Sequence, residues 1–146
     1  MNGYKSKTVA TWTALLFGTL GLHRFYLHGW RDWKGWLHPV PTAIGLVGAL
    51  RMNELGQDDR LAWLLIPLLG LSIAQAMLTA IVYGLTPDER WAQRRGQPLR
   101  ATGWGPVFGV VVALLLGATA LMATVAYGGQ RFFEYRLEGD ARTAAR

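Results

Sequence analysis

Two long apolar stretches, Leu61 to Leu85 and Trp104 to Gly128, contain no Asp, Glu, Lys, Arg or His. A helix rises ~1.5 Å per residue and needs about 20 apolar residues to cross a ~30 Å hydrocarbon core, so each stretch is long enough to span a bilayer. The sequence therefore reads as an integral, multi-pass membrane protein. Its 146 residues, 51% of them hydrophobic, leave room for one membrane bundle and no second domain. The net charge of +6 comes from basic residues placed between apolar blocks. There anionic lipid headgroups are nearer partners than nucleic acid, which is not expected to bind. With no cysteine, disulfides, thiolate metal sites and cysteine nucleophiles are excluded, and the redox compartment is left undetermined.

Two weaker apolar blocks come first, Thr8 to Leu22 and Trp36 to Leu50. Each can be lengthened at the shared end if Arg24 and Lys34 snorkel to the headgroups, which gives a tight helical hairpin. A re-entrant pair that never crosses is the alternative, and Pro39 and Pro41 keep it open. The amino end resembles a secretory signal but lacks a small-x-small cleavage site, so an uncleaved first span is expected. Trp30, Trp33 and Trp36 alternate with charges in the link between the blocks, as residues at a membrane boundary do. Further on, Thr86-Pro87-Asp88-Glu89 reads as the capped start of a short basic surface helix. Gly128-Gly129 ends the fourth block, an interfacial segment follows, and the last residues read as a mobile tail. Basic residues number eight on one side, Arg146 included, and seven on the other, so no orientation follows.

The link carries a compact motif: Gly18, Gly21, His23, Arg24, Phe25, Tyr26, Leu27 and Gly29, preceded by Lys5 and Lys7. Gly18 and Gly21 share a helical face on which a neighbouring backbone can approach. Arg24 can cap the last carbonyls of its helix and reach a lipid phosphate, while Phe25 and Tyr26 anchor the turn. This run resembles the TM2 domain family over roughly residues 5 to 50. The resemblance implies a two-helix membrane hairpin with an Arg-Phe turn and no established enzymatic activity. His23, Arg24, Phe25, Tyr26, Leu27 and Gly29 are accordingly the candidate contacts to lipid or a protein partner.

Little supports catalysis. The chain has two serines, Ser6 and Ser72, and Ser72 has no base near it in sequence. His23, His28 and His38 with Asp32 match no standard metal-ligand spacing, so neither a metal nor a cofactor is expected. An ion pump would need an ionisable residue inside a span, and the two long blocks have none. Ser72, Gln75 and Thr79 recur at helical spacing on the third block and Ala113, Gly117, Ala120 and Thr124 on the fourth. Membrane helices meet along such small, weakly polar faces, with Gln75 expected to hydrogen-bond across the contact.

The expected architecture is all-α: an integral membrane bundle of four transmembrane helices as two hairpins. It divides into a TM2-like hairpin (1–50), a second hairpin (51–129) and an interfacial segment with tail (130–146). The expected function is structural or interaction-based, through anionic lipids, a protein partner or a second copy of the chain. An oligomeric channel or transport-accessory subunit is the alternative.

Overall fold

A computed structural model describes residues 4–144, which form helices and short connections. Ser6 opens α1 (Lys7–Phe17), its hydroxyl accepting the Val9 N–H and so satisfying one of the orphan donors of a first turn. A single 3₁₀ turn, Gly18–Leu20, tightens the chain, and Gly21 at φ +75° reverses it into α2 (Leu22–His28). That left-handed conformation carries a Cβ penalty for every residue but glycine. Asp32 caps α3 (Trp33–Leu37) by accepting the Lys34 N–H, and α4 (Pro39–Leu55) begins on a proline whose missing N–H would have no helical acceptor there. The chain continues through α5 (Arg60–Leu85), α6 (Asp88–Arg95) and α7 (Gly105–Ala144).

α5 is the axis. α4 packs antiparallel to it, with Gly45 against Leu69 and Gly48 against Leu65, and Arg51 pairing with Asp59 at 2.8 Å where the two meet. α7 lies antiparallel on another face, with Gly117 against Met77 and Thr124 against Gly70. α1 fits between them. Its Trp12 indole donates to the Gly105 carbonyl at 3.1 Å, and its Ala14 and Leu15 join Ala76, Met77, Ala80 and Ala113 in the central core. Small residues thus bring the backbones together, while large ones face outward: Leu64 is 71% exposed and Met122 69%.

Four crossing helices are not what this arrangement shows. α5 and residues 105–140 of α7 are long and apolar enough to cross a bilayer. The first block departs from the expected hairpin because Gly18 and Gly21 are a reversal within it. α1 stops beside Ala76, partway along α5, and α2 runs back to the end where α1 began. There the Tyr26 hydroxyl accepts the Ser6 N–H at 2.9 Å.

Two further expectations differ. Thr86 does not cap α6, since its hydroxyl donates back to the Val82 carbonyl, and the N-cap position is held by Pro87, which makes no side-chain cap hydrogen bond. Gly128-Gly129 does not end α7, because neither glycine takes a positive φ and no proline interrupts the backbone ladder. The stretch read as interfacial segment and tail is helical through Ala144. Ala145 and Arg146 lie outside the described residues.

Candidate functional site

Around the Gly21 turn the motif residues divide between core and surface. His23 is 2% exposed, its ring edge-on to His38 at 5.2 Å and to Tyr83 of α5 at 5.9 Å. Leu27 is buried with Ala10 and Trp91. Gly21 packs against the Gly35 carbonyl, so α3 closes directly over the turn. Phe25 stacks on Trp30 at 5.2 Å and meets Trp36 at 5.1 Å, while Trp30, Trp33 and Trp36 stay exposed. Gly29, at φ +84°, ends α2.

Arg24 does not cap its own helix. Its Nε donates to Asp32 Oδ2 at 2.7 Å, and that guanidinium holds the Asp32 carboxyl below the usual carboxylate range despite the opposing effect of burial. His28 reaches the same carboxylate oxygen at 3.6 Å. The three histidines therefore point to two different neighbourhoods, and among the described residues no group of His, Asp or Glu gathers as metal ligands would.

A part of the site was not singled out in the sequence. α6, expected to lie on the surface, buries Trp91, which is 6% exposed and packs between α1, α2 and α5. Its indole donates to the Lys5 carbonyl at 2.9 Å, and the Gln97 amide clasps the same residue, accepting its N–H at 3.0 Å and donating to its carbonyl at 3.1 Å. Arg95 lies over the Trp91 ring at 4.7 Å and donates to the Leu27 carbonyl. The available signal was Trp91 set among charges, since a tryptophan on an otherwise polar helix needs an apolar partner. Nearby, Asp88 is bound by Lys7 and by the Thr102 N–H and hydroxyl. Burial would push the Asp88 carboxyl up, but these donors draw it down to about 2.

The residues expected to pack helices are dispersed along the bundle. Gly18 sits against Ala76, Gly117 against Met77 and Thr124 against Gly70. Ser72 is buried, its hydroxyl donating to the Leu68 carbonyl, and Thr79 donates in the same way to the Gln75 carbonyl. Gln75 itself is exposed, lining an outer groove with Met77, Leu78, Leu114 and Gly117 rather than bonding across the α5–α7 contact. The α5 residues that meet α7 are Gly70, Met77 and Gly84, against Thr124, Gly117 and Val110, while Ala76 packs on Gly18.

The TM2 domain family model matches residues 3–50, about a third of the chain. No curated protein and no solved structure matches the chain.

Proposed function

Taking residues 3–50 as a TM2 domain, we propose that the chain is a multi-pass membrane protein with a structural or interaction role rather than a catalytic one. The observation that carries this reading is the inverted distribution of side-chain size. In the two long apolar helices only 17% of the residues of each hydrophobic window are buried, mostly small ones such as Ala76, Ala80, Gly109 and Ala113 beside Met77, while Leu64, Leu78, Leu115, Val125 and Met122 face outward. A soluble helix turns its large apolar face inward, and an exposed apolar surface of this extent calls for lipid or a partner. The serines support a non-catalytic role, since Ser6 caps α1 and Ser72 is bonded to its own helix.

In this reading α4, α5 and α7 cross, and the α1–α2 hairpin dips in from one end. The 17 residues of α4 rise about 25 Å, near the lower limit for crossing. Exposed Trp30, Trp33 and Trp36 mark the boundary at the hairpin end. The two termini then lie on opposite sides. The test is extraction: the chain should stay with membranes through an alkaline carbonate wash and partition into detergent. Release into the aqueous phase would overturn the reading. Photo-crosslinkers at Trp30 and Trp33, in the native membrane, should then capture the partner that the exposed aromatic loop meets.

A further inference from the structure

Where α1, α2 and α6 converge, a cleft of about 420 Å³ opens between Lys5, His28, Gly29, Arg95 and Gln97. We infer that this cleft is a binding site for a phosphate-bearing anion, a lipid headgroup or free phosphate, gripped by Lys5 on one wall and Arg95 on the other.

The two cations come from residues ninety positions apart, and both are held by the fold. Lys5 Nζ lies 4.9 Å over the Tyr26 ring, and its backbone is clasped by Trp91 and Gln97. Arg95 rests on Trp91 and spends one N–H on the Leu27 carbonyl, which leaves most of its donor fork free. Among the described residues no carboxylate lies within ion-pair distance of Lys5 or Arg95. Of the nearby acids, Asp32 is engaged by Arg24 and His28 and Asp88 by Lys7 and Thr102, while Glu89 lines an adjoining groove with Gly96 and Gln97 and is not among the residues of this cleft. Burial lowers the Arg95 pKa, the mark of a cation giving up water without an acidic partner, although the Tyr83 and Tyr26 hydroxyls oppose the shift. An anion in the cleft would supply the missing counter-charge.

Phosphate fits better than a single carboxylate. Two cations and the Gln97 amide offer donors from several directions, and an arginine fork matches phosphate oxygens in bidentate geometry. The mouth is open because Gly29 and Gly96 sit on its rim with nothing within 4 Å of where a side chain would start. Arg100, over the Tyr4 ring at 4.5 Å, adds positive field nearby. The inference rests on the membrane reading only for the lipid source, because the cleft is at the bundle end where headgroups would lie.

The test uses the full chain purified in neutral detergent. It is titrated separately with inorganic phosphate, a short-chain phosphatidic acid and a phosphatidylcholine of equal chain length, with bound ligand counted by native mass spectrometry. One saturable phosphatidic acid is expected, with phosphatidylcholine failing to compete. Arg95→Gln and Lys5→Gln should each weaken it about tenfold, and Arg95→Lys by less. Arg94→Gln, which removes the same charge from an exposed position on the same helix, should leave binding unchanged. Phosphatidic acid alone binding assigns the site to a headgroup, and equal binding of inorganic phosphate assigns it to the free ion. Equal losses in Arg94→Gln and Arg95→Gln, or no saturable binding, would overturn the proposal. Circular dichroism checks each variant's fold, and Lys5→Gln decides if Arg95→Gln does not fold. The carbonate wash is scored separately, so a failed membrane reading and a failed anion site give different results.

Discussion

Lys7 at the start of α1 and Asp88 at the start of α6 form an ion pair across the bundle end, with the Lys7 side chain 8% exposed. The same ammonium donates to the Thr86 carbonyl at 3.1 Å, so one side chain ties α1 to the turn between α5 and α6. Removing the acid leaves a buried charge without its partner. Asp88→Asn is therefore expected to cost about 1–3 kcal/mol in an unfolding measurement, and Lys7→Met, which removes the buried charge itself, should cost less.

The same pair sets an acid limit. The Asp88 carboxyl titrates at about 2 when folded and near the ordinary 3.8 when unfolded. Its contribution is complete above about 4 and is lost as pH falls toward about 2, because the unfolded chain takes up the proton first. Melting temperatures recorded across that window should fall for the native chain and fall less steeply for Asp88→Asn. Identical slopes would remove Asp88 from the acid response.

Topology gives a binary outcome. If α4, α5 and α7 cross as proposed and α1–α2 returns to its own end, reporters fused at the two termini should give opposite signals, and one between Arg95 and Arg100 should agree with the amino terminus. Termini on the same side would mean that the Gly21 turn does not hold the hairpin at one end in the membrane.

Glycine substitutions should separate turn strain from crowding. Gly29→Ala meets open space, so its cost is backbone strain alone, about 1–3 kcal/mol, because φ +84° with ψ 172° is a conformation that essentially only glycine adopts. Gly21→Ala carries the left-handed penalty of φ +75° and also drives a Cβ into the Gly35 carbonyl, so it should be clearly the worse of the two by thermal denaturation in detergent. Equal melting points would show that α3 does not close over the turn.

On the outer groove the expectation is asymmetric. Gln75 is exposed, so Gln75→Leu should change the stability of the isolated chain by no more than about 0.5 kcal/mol. Gly117→Leu puts its first carbon 2.8 Å from Met77 Cβ and should cost about 1–3 kcal/mol through overpacking. A larger loss for Gln75→Leu than for Gly117→Leu would place the amide in a contact after all.

Much of the local structure was legible in residue types. Unbroken apolar runs without charges dictated two long helices, because their length and composition admit little else, and the GTLGLHRFYLHG run carried the TM2 resemblance. The sequence also contained the two glycines that turn the chain, but glycine permits a reversal without requiring one. At Gly18 and Gly21 either a straight helix packed on a neighbour or a left-handed turn was possible. The packing of Ala76 and Gly35 against them selected the turn. Arg24 had several possible acceptors until the loop brought Asp32 to it, and Trp91 declared no partner until α1, α2 and α5 enclosed it. Periodicity placed Gln75 and Ala76 side by side on the same broad face, and the rotation of α5 in the assembled bundle decided that Ala76 meets Gly18 while Gln75 stays outside. Side-chain chemistry and local spacing are properties of the chain alone, whereas helix rotation and long-range pairing are set by what the completed bundle can bury.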